Sequence, residues 1–275
     1  MKLIPTGTPL VLVNAFPVDR SQWEPLLAEL STLEAPIGDI IAFDVPGIGD
    51  MPIPDETPSL DLIADAATLA MREVTGYQAA LWVGCSMGGY IAMAVAQHQA
   101  DAVAGLVLID TKAGADSPQA LAKRHEIADS LDGKPGAEDP TAMAEGLIGT
   151  QGEARAELVA WVASNISRHK GDGIAWGQRA MAARPDRLAV LAGLDVPAVV
   201  VRGESDQIAS AADAQAMGDA LGVEVVTIPG VGHLAGLEAP AEVARLVARV
   251  ARDGESMPMA DALAKRLAGG NDWGR

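Results

Sequence analysis

The sequence predicts an α/β fold built on a mostly parallel sheet of about six to eight strands flanked by helices, with an inserted helical lid. Three observations carry this reading. Short, nearly continuous apolar runs recur at Leu10 to Val13, Ile40 to Phe43, Ala80 to Val83, Leu106 to Ile109, Ala198 to Val201 and Val223 to Ile228. Such runs suit strands covered on both faces. Amphipathic helical patterns lie between several of them, and strand alternating with helix implies parallel pairing through crossovers. The alternation then breaks after Asp110, where a long stretch rich in Ala, Gly and polar residues holds helix-like segments but no strand before Pro197.

The elements follow in order. After the first two strands, Leu60, Ile63, Ala64, Ala67, Met71 and Val74 mark one helix face. The run Tyr90 to Ala96 reads as an Ala-rich helix directly behind the third strand. Residues 112–188 are expected to form the helical cap, and 1–111 with 189–275 the core. Within the cap, Gly133-Lys134-Pro135-Gly136 and Gly171-Asp172-Gly173 are expected as turns between short helices. A last helix carries Val243, Leu246, Val247 and Val250 behind Pro240 in its first turn. The tail is expected to hold one more helix, Ala260 to Leu267, before a frayed end.

Composition narrows the function classes. About half of the 275 residues are hydrophobic, enough for a substantial core. The net charge of -17 would repel a polyanion or an acidic membrane surface, so neither nucleic acid nor membrane is an expected partner. The one cysteine, Cys85, has no disulfide partner within the chain, and no apolar stretch of signal-peptide length follows Met1. A cytoplasmic location is expected. The sequon Asn165-Ile166-Ser167 then carries no meaning for modification.

The chemistry lies around Gly84-Cys85-Ser86-Met87-Gly88-Gly89, a G-x-S-x-G pattern between the strand Leu81-Trp82-Val83 and the following helix. A nucleophile placed there must sit on a sharp turn, and glycines on both sides leave room where side chains would clash. The Met87 amide, at the start of that helix, points to where negative charge develops in acyl transfer. No Gly-Lys-Ser/Thr follows, which argues against a phosphate loop.

A serine hydroxyl needs a base, and the sequence has His98, His125, His169 and His233. His98 ends the helix behind Ser86, and His125 and His169 belong to the cap. His233 remains, in the loop Pro229-Gly230-Val231-Gly232-His233 directly after the last strand. Its carboxylate partner is expected to be Asp206 in Arg202-Gly203-Glu204-Ser205-Asp206, with Asp110 as the alternative acid at the end of the preceding strand and Glu204 a nearer neighbour in sequence. A second oxyanion donor is expected from the backbone N–H of Phe16, after the first strand.

Together the serine turn, the Gly203-x-x-Asp206 turn and the Gly232-His233 loop resemble the α/β-hydrolase superfamily across nearly the whole chain. Ala15-Phe16-Pro17-Val18-Asp19, Gly105 to Thr111 and the helical cap are similar to the branch containing carboxylesterases and 3-oxoadipate enol-lactonases. The resemblance implies a serine hydrolase that cleaves a small ester, thioester or lactone through an acyl-enzyme on Ser86, without metal or cofactor. The same triad serves carbon-carbon hydrolases and cofactor-free perhydrolases or haloperoxidases, and a non-catalytic receptor on the same fold is the reading of another class. Asn14-Ala15 replaces the family's usual His-Gly, and the short N-terminus implies that the family's first hairpin is reduced, leaving about six strands. Met143, Trp161, Trp176 and Met181 are candidate pocket residues beside Phe16 and Met87. Arg124, Arg168 and Arg179 are the cap cations available to an anionic substrate. Self-association is compatible with the sequence.

Overall fold

The computed structural model describes residues 7–253; the expected tail helix Ala260 to Leu267 lies outside them. Six strands, β1 (Thr8–Val13), β2 (Ile37–Phe43), β3 (Ala80–Cys85), β4 (Val103–Ile109), β5 (Ala198–Gly203) and β6 (Val225–Ile228), form one sheet in the order β2-β1-β3-β4-β5-β6. Every neighbouring pair is parallel. All six apolar runs therefore became strands. The last is shorter than its run, because Val223 belongs to the turn that closes the preceding helix, where its N–H donates to the Gly218 carbonyl at 3.0 Å.

Eleven α-helices accompany the sheet: α1 (Glu24–Leu30), α2 (Leu60–Thr75), α3 (Met87–His98), α4 (Pro118–Leu131), α5 (Pro140–Leu147), α6 (Glu153–Ser167), α7 (Gly171–Ala182), α8 (Leu188–Ala192), α9 (Ala211–Leu221), α10 (Ala235–Glu238) and α11 (Pro240–Asp253), all among the described residues. None is long and apolar enough to cross a membrane. Their ends follow local chemistry. Ser59 accepts hydrogen bonds from the Asp61 and Leu62 amides at the start of α2, and Gly76 closes that helix with φ of 72°, a conformation glycine enters without a Cβ penalty.

The sheet is apolar on both faces. Val11, Val13, Trp82, Leu106, Leu108 and Val200 pack with α2, α3 and α7, while Leu10, Leu12, Leu81, Val83, Val107 and Val201 pack with α1 and α11. Each such fully covered aliphatic side chain contributes about 1.5–3 kcal/mol of transfer free energy.

Four helices, α4 to α7, fill the interval between β4 and α8. The expectation of a turn at Gly171-Asp172-Gly173 is corrected: these residues are the first turn of α7. The glycines serve packing there. A Cβ on Gly171 would lie 2.3 Å from the Leu131 carbonyl oxygen, and one on Gly173 would lie 2.1 Å from that of Gly47. The expected Gly133 to Gly136 turn lies between α4 and α5. Helices α4 and α6, of 14 and 15 residues, are longer than the short pieces expected.

The strand order positions the site. From β1 the chain crosses to β2 on one side and returns to β3 on the other, so the carboxyl ends of β1 and β3 flank the point where the winding reverses. A crevice opens at such a point. The residues after β1 and β3 are Asn14 and Ser86.

Candidate active site

Ser86 leaves β3 at φ 52° and ψ -113°, one of two non-glycine residues with positive φ among those described. A side chain pays steric strain there, so the turn persists only where its surroundings hold it. They do so closely. The Ser86 N–H donates to the Ile109 carbonyl at 2.9 Å, and the Thr111 hydroxyl donates to the Ser86 carbonyl at 2.7 Å. A Cβ on Gly84 would sit 2.3 Å from the Gly88 oxygen, and one on Gly88 would sit 2.0 Å from the Val13 oxygen. Both glycines are required by backbone contact.

Three side chains converge beyond this turn. His233 Nε2 lies 2.7 Å from Ser86 Oγ, and His233 Nδ1 lies 2.9 Å from Asp206 Oδ2. All three residues are buried. A carboxylate only accepts, so Nδ1 carries the proton and Nε2 is left to accept from the serine hydroxyl. Asp206 is fixed in turn by the amides of Ile208 at 2.8 Å and Ala209 at 3.3 Å.

The alternative acid is elsewhere. Asp110, the other non-glycine residue at positive φ, accepts from the Gly203 amide at 2.6 Å and the Ala235 amide at 3.2 Å, and makes no hydrogen bond to the imidazole. Burial pushes its carboxyl up to about 7, against the pull of the His233 charge and the two amides. Glu204 accepts from the Gly230 amide at 3.0 Å. Of the three carboxylates weighed from sequence, only Asp206 meets His233.

The loop after β1 keeps its shape without the family's glycine. Ala15 needs no positive φ; its N–H donates to Gln22 Oε1 at 2.9 Å, and the Asn14 side-chain amide donates to the carbonyls of Ala15 and Val18. The Phe16 N–H has no hydrogen-bond acceptor among the described residues, and the Met87 N–H, first in α3, has none within the helix. Met87 follows Ser86 directly, and Phe16 comes three residues after the end of β1, the strand that pairs with β3. The Phe16–Pro17 peptide is cis.

The remaining candidates separate. Trp176 and Met181 share a packed cluster with Phe16 and Met87, and the Trp176 indole N–H is buried without a partner among the described residues. Met143 and Trp161 pack instead with the cluster of Leu10 and Leu12. Arg168 is paired with Asp19 at 2.7 Å, and Arg179 with Asp129 and Asp132 at 2.8 and 2.7 Å. Arg124 joins Arg184 and Lys112 around Asp116. Hydrogen bonds and charge from Arg184 and Arg124 overcome the effect of burial on Asp116 and hold its carboxyl far below the usual range. His98 lies 3.3 Å from Asp61, His125 is exposed on α4, and His169 takes the Gly49 amide on Nδ1 and faces Asn165 Oδ1 from Nε2. Burial lowers the pKa of His169.

The family model of the α/β hydrolases matches residues 10–246. The chain belongs to that family. Among solved structures, this hydrolase is similar to an esterase from Thermogutta terrifontis, solved with malate bound, at 28% identity and a TM-score of 0.82 over 91% of this chain and 92% of that one. An enol-lactonase from Burkholderia xenovorans LB400 shares the fold at 22% identity and a TM-score of 0.71, over 90% and 92% of the two chains. So does an esterase from Exiguobacterium antarcticum, at 18% identity and a TM-score of 0.74 over 90% and 93%. No curated protein is matched by the sequence.

One site residue of this hydrolase escaped sequence reasoning. Glu238 Oε1 accepts from the amides of Gly232 at 3.0 Å and Leu234 at 3.4 Å, on either side of His233. A glutamate at the end of a four-residue helix carries no motif that would reveal these two partners, because both are backbone amides.

Proposed function

We propose that this hydrolase is a serine esterase or lactonase that works through an acyl-enzyme on Ser86. The observation that carries the proposal is the continuous hydrogen-bonded line from Asp206 through His233 to Ser86, set on a strained turn at the end of β3. His233 Nε2 takes the hydroxyl proton as Ser86 Oγ attacks the substrate carbonyl. Asp206 stabilises the imidazolium that results. The amides of Met87 and Phe16 donate to the oxyanion, and because they spend no hydrogen bond elsewhere they are free when charge appears. Collapse of the tetrahedral species expels the alcohol, which receives the proton from His233. Water then attacks the acyl group with His233 as base again, and Ser86 is restored.

The substrate class rests on chemistry and on likeness. An acyl carbon bearing an oxygen leaving group suits this set of donors, and the esterase and enol-lactonase neighbours fit that class. Labelling by a fluorophosphonate probe tests the reading. Ser86 is expected to be modified stoichiometrically in the native protein and only very slowly in His233→Ala. Absence of labelling, or an equal rate in the variant, overturns it. A panel of p-nitrophenyl esters and lactones then ranks acyl groups by kcat/KM.

A further inference from the structure

We propose that Glu238 is a positioning residue that ties the general base to the inserted helices, so that the α5–α6 link and the His233 imidazole move as one unit. The proposal rests on the reading of His233 as the base for Ser86. Its observations are independent of that reading.

Glu238 uses its two oxygens on two different segments. Oε1 accepts from Gly232 and Leu234 in the histidine loop. Oε2 accepts from the Gly149 amide at 2.9 Å, the Thr150 amide at 2.7 Å and the Thr150 hydroxyl at 2.8 Å, all in the link between α5 and α6. The histidine itself is joined to the end of α5, where that link begins: its N–H donates to the Leu147 carbonyl at 2.8 Å. The two segments touch without side chains between them. A Cβ on Gly149 would lie 2.4 Å from the Gly232 nitrogen, and one on Gly232 would lie 2.2 Å from the Gly149 nitrogen.

These contacts leave the imidazole little independence. Shifting the histidine loop relative to the link breaks the Leu147 bond, separates the glycine pair and pulls one carboxylate oxygen from its donors. A ligand that displaces α5 or α6 therefore displaces His233 Nε2 from Ser86 Oγ, and one that leaves those helices in place preserves the 2.7 Å contact. Glu238 touches neither the imidazole nor the serine. Its effect on chemistry passes through the backbone on both sides of the base.

The test compares Glu238→Gln, Thr150→Val and the double variant with Ser86→Ala on p-nitrophenyl acetate. Glutamine keeps the size of the side chain but turns an NH2 toward one of the two donor sets, so the tie breaks on one side whichever way the amide points. A misplacement near 1 Å at the reacting groups costs on the order of 100-fold, so Glu238→Gln is expected to lose about that much in kcat with little change in KM. Thr150→Val removes one donor and is expected to lose less. Because both variants cut the same tie, the double variant is expected to be no slower than Glu238→Gln alone. Fluorophosphonate labelling of Ser86 should slow in parallel.

Unchanged kcat in Glu238→Gln, a loss confined to KM, or losses that multiply in the double variant would each overturn the proposal. If Glu238→Gln melts below the assay temperature, Thr150→Val decides alone: a kcat loss at constant KM supports the tie, and unchanged kcat overturns it. Turnover retained by Ser86→Ala would instead overturn the serine mechanism, which keeps the two failures apart.

Discussion

Asp110 and Asp116 follow the same strand end and both bury their carboxylates, yet they are held by opposite means. Asp110 meets two neutral backbone amides and rests with its pKa raised to about 7. Asp116 meets Arg184, Arg124 and Lys112 and is driven far below the usual range. The contrast extends to whole regions. Around His233 the carboxylates of Asp206, Asp110 and Glu238 are all anchored by backbone N–H groups, and among the described residues none forms an ion pair with lysine or arginine. At the junction after β4, Asp116 is instead anchored by the guanidinium groups of Arg184 and Arg124. Amides fix a carboxylate in place while leaving most of its charge uncompensated, so in the proposed mechanism Asp206 keeps its field for the imidazolium. Cations fix a carboxylate more strongly but cancel it. The site favours field, and the junction favours strength.

Removing one member from each region should break the contrast in different observables. Asp206→Asn presents an amide to Nδ1, which favours the tautomer with the proton on Nε2, and kcat toward esters is expected to fall about 10⁴-fold with the fold retained. Asp110→Asn leaves the Asp206 contact intact but turns an NH2 toward the Gly203 or the Ala235 amide, and its loss in kcat should stay well below that of Asp206→Asn. Equal losses in the two variants would mean that Asp110 shares the acid's role. Asp116→Ala strands the fully buried Arg184 without its partner, a change expected to cost about 3–5 kcal/mol, read as a lower melting midpoint in calorimetry.

A pH series sharpens the comparison further. The folded-state pKa of Asp110 lies above its ordinary value of 3.8, so the folded protein holds a proton that the unfolded chain has released. The stabilisation from that proton is complete below the unfolded pKa and is lost as pH rises toward and through about 7. Asp110→Asn removes this loss. Its melting midpoint relative to the native protein should therefore rise between about pH 5 and about pH 8. A difference that stays flat across that range would show that the Asp110 carboxyl is ionised throughout. The smallest effect is expected from Arg179→Ala, whose partners Asp129 and Asp132 are largely exposed, with a melting midpoint unchanged within error in thermal scans.

The same contrast explains what the sequence could reveal. Strands were legible because a parallel strand covered on both faces leaves an apolar run, and all six runs from Leu10 onward sit in one sheet. Ser86, Asp206 and His233 stood out through glycine spacing and strand-end position, features that survive in one dimension. Contacts to backbone groups leave no such trace. Apart from the Thr150 hydroxyl, Glu238 and the anchoring of Asp110 depend on backbone amides, which every residue type but proline supplies, so no pattern marked them. Glycine misled in the cap for a related reason. Gly171 and Gly173 read as a turn, but they make room for the Leu131 and Gly47 backbones, which lie far away in sequence. The pocket candidates also divided, because the pattern of apolar residues in a helix does not say which side of the sheet that helix will cover.

Asn165 lies buried between α6 and the loop that follows β1. Its side chain accepts from the Asp19 amide at 3.0 Å and donates to Asp19 Oδ1 at 2.9 Å and Ser21 Oγ at 3.1 Å. It is also the acceptor asparagine of an Asn-x-Ser sequon. A sugar on its Nδ2 would replace one of the two N–H donors that bond Asp19 and Ser21, on a side chain that is buried. Sending the chain through a glycosylating secretory route would therefore set modification against folding. Each glycan attached before α6 docks would strand a molecule outside its native state, and the product that escaped would carry Asn165 bare.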